Sequence, residues 1–137
     1  MTAPLILGLG GTVRPGSSTE KALSVALGAV EAAGGRTRLL GGEFLSGLPL
    51  FNPGPGGPTD DQLVLAQAVR EADGVIVATP GYHGSLSGVM KNALDTLELL
   101  REDARPYFTG RAVGVIVTAD GWQAAGTTLT AVRSILH

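Results

Sequence analysis

Three short stretches of this chain gather the residue types that hold small anionic or planar ligands. The first, GGTVRPGSST (Gly10 to Thr19), packs three glycines, four hydroxyls and one arginine into ten residues, with no acid. Thr12, Ser17, Ser18 and Thr19 offer hydroxyl and backbone donors where a helical segment begins. The helix N-terminus adds partial positive charge and Arg14 a full one. A phosphomonoester needs that combination. The competing reading is an ordinary turn, with Ser18 as N-cap and Glu20 and Lys21 on a solvated face. The stretch is neither the dinucleotide Gly-x-Gly-x-x-Gly nor a Walker loop, since no Gly-Lys-Ser/Thr occurs.

The second stretch, TPGYHGSLSG (Thr79 to Gly88), combines a proline, an aromatic residue and three glycines. Such a loop can bring backbone amides against a flat polar ring and lay Tyr82 beside it. The competing reading is a strand-to-helix turn with Ser87 as N-cap. His83 has no evident acid partner and reads as a surface or packing residue. Tyr82 reads as a ring contact, because an unperturbed phenol titrates near ~10. The third stretch, TADGWQAAG (Thr118 to Gly126), sets the chain's only tryptophan between Gly121 and Gly126. The apolar body and polar tip of Trp122 suit a site rim or an interface; the competing reading is a hydrophobic staple onto the last helix. Met1 and Met90 read as core.

These stretches need elements to position them. The apolar runs Pro4–Gly10, Thr37–Gly41, Gly74–Pro80 and Ala112–Ala119 are short and do not alternate with polar residues, so they read as strands buried on both faces. Helical spacing lies between them. Leu23, Leu27 and Val30 share a face in Ser18–Ala33, and Leu63, Ala66 and Val69 in Asp60–Ala72. Met90, Leu94 and Leu97 do so in Ser87–Leu100, and Leu129, Val132 and Leu136 in Ala124–Leu136. The order βαβαβαβα predicts a parallel, doubly wound sheet, and ligands of such sheets lie at the carboxyl ends of the strands. Phe44–Pro58, with four prolines and four glycines, reads as an irregular loop. A fifth strand would normally follow; its absence means a compact variant or a chain lacking a C-terminal βα unit.

Bulk properties narrow the classes. Residues 1–137 make one domain, and 44% hydrophobic with 16% charged residues describes a globular chain. A net charge of −2 without a basic block argues against nucleic acid. The lack of cysteine removes disulfides, thiolate metal sites and thiol nucleophiles, and fits a reducing cytoplasm. No signal peptide and no membrane span are read.

GTVRPGSST together with ADGVIVATPGYHGSLSGVMKNALDTLE resembles the NADPH-dependent FMN reductase family of flavodoxin-like proteins. The family's first loop runs Gly-Ser-x-Arg-x-x-Ser-x-Asn; here it is Gly11 to Thr19, with Thr19 in place of the asparagine. Its third-strand motif runs Thr-Pro-x-Tyr-x-x-Ser-x-x-Gly-x-x-Lys-Asn and is matched from Thr79 to Asn92; this is the specific part of the likeness. Gly81 and His83 fall at positions that vary between subgroups. Leu86 does not support the subgroup with an extra aromatic there, and family members are usually longer.

The resemblance implies a three-layer α/β/α sandwich of strand order 2-1-3-4. It implies that Thr12, Arg14, Ser17, Ser18 and Thr19 hold an FMN phosphate. Pro80, Gly81, Tyr82, His83, Gly84 and Ser85 would line the isoalloxazine, with Asp120 and Gly121 at its other edge. The implied activity is hydride transfer from NADPH or NADH to flavin and on to a small-molecule acceptor: free flavin, a quinone, an azo compound or a metal oxyanion. No residue is assigned as an acid or base, and no metal. Two alternatives stand beside it: a flavodoxin-type electron carrier, against which the modest charge and Arg14 argue, and a flavin-free module whose loops only cap helices. Apolar residues on the helix after the third strand (Met90, Leu94, Leu97, Leu100) and in the long loop (Phe44, Leu48, Leu50, Phe51) predict self-association. The resemblance implies a homodimer or homotetramer.

Overall fold

A computed structural model describes residues 2–137; Met1, read above as core, lies outside the described residues. Four strands, β1 (Leu5–Gly10), β2 (Arg36–Gly41), β3 (Gly74–Pro80) and β4 (Ala112–Thr118), form one sheet in the order β2-β1-β3-β4. Every neighbouring pair is parallel. The helices are α1 (Ser18–Ala32), α2 (Gly42–Ser46), α3 (Asp60–Glu71), α4 (Gly88–Thr96) and α5 (Trp122–Leu136). A 3₁₀ turn, Leu97–Leu100, continues α4. The expected fold class and strand order are therefore found.

The central strands are apolar on both faces because helices cover both. Leu7 and Leu9 of β1 stand in register with Val75 and Val77 of β3, and all four are buried. On that face they meet α2, α3 and α4 through Leu45, Leu65 and Met90. On the other face, Leu23 and Leu27 of α1 pack with Ala78, Ile6 and Ile116. The edge strands differ from expectation. β2 exposes Arg36 and Arg38, and β4 is mostly half-buried, since each has a neighbour on one side only.

Helix phase corrects three other readings. Thr59 and Gln62 form a capping box, which fixes the start of α3. Leu65, Ala66 and Val69 are then buried in the core, and Gln62 is buried against the long connection. Leu63 is 46% exposed while Leu65 is wholly buried. The last helix begins at Trp122, two residues before the expected Ala124, and turns Thr128 and Val132 inward, leaving Leu129 outside. The Phe44–Pro58 stretch is not irregular throughout, because its first three residues finish α2, which sinks Leu45 into the core.

Beyond α2 the long connection is tied down chiefly by Asn92, with Gln62 Nε2 also reaching the Pro49 carbonyl at 3.5 Å. Asn92 Oδ1 accepts from the Phe51 amide at 2.8 Å, and its Nδ2 donates to the Pro49 carbonyl at 2.9 Å. The apolar residues read as a surplus for self-association are largely consumed within the chain. Met90, Leu97, Leu100 and Leu48 are buried, and of that set Leu50 stands out at 83% exposed.

The phase of α3 can be checked directly. Leu65→Ala should cost about 2–5 kcal/mol, whereas Leu63→Ala should stay within about 0.5 kcal/mol. Urea unfolding of the two variants reads the difference, and the reverse ranking would show that the helix is rotated from this position.

Candidate active site

Parallel strands end on one side of the sheet. With about 4.8 Å between neighbours, the ends of β1, β3 and β4 lie within about 10 Å of each other. All three stretches singled out by sequence leave from those ends. A cavity of about 760 Å³, lined by Leu94, Tyr107, Phe108, Arg111 and Ile135, sits at the opposite end of the sheet. Another, lined by Glu20, Leu39, Gly41 and Phe44, lies at the carboxyl end of β2, beside the first loop. The three loops form an open shelf.

Thr118, the last residue of β4, joins the loops. Its carbonyl accepts from the Gly81 amide at 2.8 Å. Its hydroxyl pairs with that of Thr19, in the first turn of α1, at 2.7 Å. One residue thus fixes the β3 loop through its backbone and the β1 loop through its side chain. Thr118 was not among the expected site residues. Its only sequence signal is a hydroxyl at the end of an apolar strand.

In the first loop the hydroxyls divide into two groups. Ser17 is buried and caps α1, accepting from the Glu20 amide at 3.2 Å; the cap is Ser17 and not Ser18. Thr19 is buried and faces Thr118. Thr12 closes a local turn, its Oγ1 accepting from the Arg14 amide and donating to the Arg14 carbonyl, both at 3.1 Å. Arg14 and Ser18 are exposed, and Arg14 forms no salt bridge among the described residues. Glu20 is half-buried, and its carboxylate accepts from the Gly16 amide at 3.0 Å. An anionic oxygen therefore already rests on a loop amide.

The second loop is a hairpin pinned at its base. Tyr82 and Ser85 exchange backbone hydrogen bonds, at 2.8 Å from the Tyr82 amide and 3.1 Å from the Ser85 amide. Between them His83 and Gly84 have φ of 52° and 80°. Positive φ at both central positions is the type I′ pattern, comfortable for glycine and strained for histidine. Below the turn, Thr79 Oγ1 donates to the Pro80 carbonyl and accepts from the Ser87 amide at 3.0 Å, while Ser87 Oγ caps α4 by accepting from the Met90 amide. Pro80 is buried, Gly81 and Ser85 are half-buried, and Tyr82, His83 and Gly84 face solvent.

The third loop is short, and α5 follows at once. Gly121 caps it without a side-chain acceptor, and Asp120 and Gly121 are exposed. The second loop lies against this helix so closely that a Cβ at Gly81 would fall 2.8 Å from Thr128 Oγ1. Trp122 is 89% exposed, so it staples nothing. Of the expected residues, then, the Pro80–Ser85 loop and the first loop are drawn together through Thr118, with Asp120 and Gly121 immediately beyond it.

The donor set fits a flavin mononucleotide in kind: a cation, a free hydroxyl and loop amides at one end, and a backbone-lined turn with an aromatic at the other. Comparison with known proteins points the same way. The family model described as NADPH-dependent FMN reductase matches residues 4–137. An NAD(P)H-dependent FMN reductase of Pseudomonas aeruginosa is 34% identical over 119 residues, covering 85% of this chain and 60% of that protein. An FMN-dependent NADPH-azoreductase of Staphylococcus aureus is 42% identical over 57 residues, 42% of this chain and 27% of its own. The crystal structure of an NADH:FMN oxidoreductase in its apo form superposes with a TM-score of 0.79 at 26% identity, over 98% of this chain and 68% of that one. The chain thus spans about three-fifths or less of the length of these curated relatives.

The hydroxyl pair between α1 and β4 is open to a double-mutant cycle. Thr19→Val or Thr118→Val alone should cost about 1 kcal/mol, since each leaves the other hydroxyl without its partner. The double variant should cost less than the sum of the two. Strictly additive losses in chemical unfolding would mean that the two hydroxyls do not interact.

Proposed function

The chain belongs to the NADPH-dependent FMN reductase family, and on that premise we propose that it binds FMN on the three-loop shelf and passes a hydride from NADPH or NADH to a small-molecule acceptor. The observation that carries this reading is the gathering of the phosphate-type loop and the Tyr82–Ser85 hairpin on Thr118. When bound, the isoalloxazine supplies the hydride-accepting and hydride-donating chemistry itself. The protein has to hold and orient it.

In this reading Arg14, Ser18 and the amides of the first loop take the phosphate, with Thr12 shaping the turn. Ser17 and Thr19 support them from below, their hydroxyls being engaged by the helix cap and by Thr118. Glu20 has to release the Gly16 amide as the phosphate arrives. Pro80, Gly81, Tyr82, His83, Gly84 and Ser85 line one edge of the ring, and Asp120 and Gly121 the other. No side chain is assigned as an acid or base: the hydride chemistry is the ring's, and the proton that each reduced acceptor takes up comes from solvent. The acceptor class spans free flavin, quinones, azo compounds and metal oxyanions. The rival reading, a one-electron carrier for a protein partner, predicts no direct oxidation of NAD(P)H. Following NADPH and NADH oxidation with FMN present, against a panel of acceptors, separates the two.

We also place the protein in the cytoplasm, which suits a chain without cysteine. No helix among the described residues is long and apolar enough to cross a membrane. Self-association as a homodimer or homotetramer remains part of the proposal, supported by the exposed Leu50 in the long connection. Light scattering at low micromolar concentration should give at least twice the 13.9 kDa chain mass. A monomer that still binds FMN tightly would remove that part alone.

Arg14 provides the sharper test. Arg14→Ala removes a charge-assisted contact of about 1.5–3 kcal/mol, so FMN affinity should fall about ten- to a hundredfold. Riboflavin, without the phosphate, should lose little. Equal losses for both ligands would show that Arg14 does not meet the phosphate.

A further inference from the structure

The start of α1 carries half of a reciprocal cap. Ser17 to Glu20 spell Ser-x-x-Glu, the pattern in which the serine hydroxyl accepts from the glutamate amide and the glutamate carboxylate accepts from the serine amide. The first bond is present, with Ser17 Oγ accepting from the Glu20 amide at 3.2 Å. In place of the second, Glu20 Oε2 accepts from the amide of Gly16, one residue earlier, at 3.0 Å. Gly16 has φ of 70°, a left-handed conformation that glycine adopts without strain. The carboxylate is thus engaged with the loop itself, between Arg14 and Ser18, and not with the helix cap.

The side chain is closely fitted there. A Cβ at Gly11 would stand 3.3 Å from Glu20 Cβ, and one at Gly41 would stand 2.9 Å from Glu20 Oε1. Glu20 forms no salt bridge among the described residues, so its charge rests on a backbone amide. On its other side lies the cavity at the end of β2, about 420 Å³, which Glu20 lines together with Leu39, Gly41, Glu43 and Phe44. A carboxylate that leaves the Gly16 amide has room to turn into that space, where Glu43 is a second acid.

We propose that Glu20 is the specificity-determining residue of the first loop: its carboxylate competes with a ligand phosphate for the Gly16 amide, and so sets how strongly a phosphorylated flavin is preferred to an unphosphorylated one. The inference rests on the flavin reading above and adds to it the residue that tunes the phosphate contact. One amide hydrogen serves one strong acceptor, and two anions held a few ångströms apart repel. A phosphate therefore has to displace Glu20 before it gains the loop. Riboflavin brings no anion and leaves Glu20 where it is.

Glu20→Gln keeps an acceptor of the same shape and removes the charge. In calorimetric titration of flavin-free protein, this variant should bind FMN about tenfold more tightly than the unaltered chain, with riboflavin affinity unchanged. Glu20→Ala, which frees the amide outright, should tighten FMN at least as much. Melting of the ligand-free proteins separates this role from a structural one. Loss of an acid from the first turn of α1 should lower the Tm of both variants, while FMN affinity rises; a merely structural Glu20 would lower both together. Inorganic phosphate alone should raise the Tm of Glu20→Gln more than that of the unaltered chain. FMN affinity unchanged or weakened in both variants, or riboflavin affinity gained equally, would overturn the inference while leaving the flavin reading intact. Failure of the unaltered protein to bind FMN would overturn both.

Discussion

The site rests on the way one threonine ends a strand. Thr118 presents its carbonyl to Gly81 and its hydroxyl to Thr19, and these two contacts run in different directions. One fixes the height of the hairpin loop above the sheet. The other fixes the first turn of α1, and with it the loop that precedes the helix. Both partners come from segments distant in sequence, so neither loop could find its place by local preference alone. The parallel sheet makes the arrangement possible, because only there do three strand ends face the same way at hydrogen-bonding spacing. β4 is an edge strand and is only partly covered, yet its last residue ties two of the loops together.

This arrangement explains why a loop so rich in hydroxyls offers few of them to solvent. Ser17 and Thr19 are buried, and Thr12 is engaged with its own turn. The same residue types that suit an anion also suit a helix cap or a strut, and in this loop they are divided between the two tasks. Arg14 and Ser18 remain on the outer side. The β3 loop follows the same rule. Thr79 and Ser87 brace its base, and the turn they support is all that faces outward.

Much of the fold could be read from the chain, and the reasons are physical. Apolar runs separated by helical spacing leave little alternative to a parallel sheet with right-handed crossovers, whereas the strand order is what the family resemblance implied. The motif from Thr79 to Asn92 located the hairpin loop. What could not be read was phase. Leu63 and Leu65 are both plausible inward residues until the Thr59 and Gln62 cap fixes where the helix starts. The choice between Ser17 and Ser18 as cap depends on a backbone angle at a single residue. Thr118 was missed because its importance lies in contacts made across 99 positions of sequence, which no local pattern carries. The apolar residues of α4 looked like a surplus because the depth of the core they fill depends on where the long connection packs.

That connection has an uneven attachment. Its first part is locked by buried Leu45 and Leu48, and by the amide of Asn92 that grips Pro49 and Phe51. From Asn52 to Thr59 it is almost wholly exposed, until the α3 cap takes hold. Residues added or removed within that span would alter its reach by at most about 3.3–3.6 Å each, without moving a strand, a helix or any contact of Thr118. Closing a longer loop adds little entropy cost. The chain therefore contains a segment whose length can drift through descent while the sheet beneath it stays in register, so relatives sharing this core are free to differ in how far this segment extends.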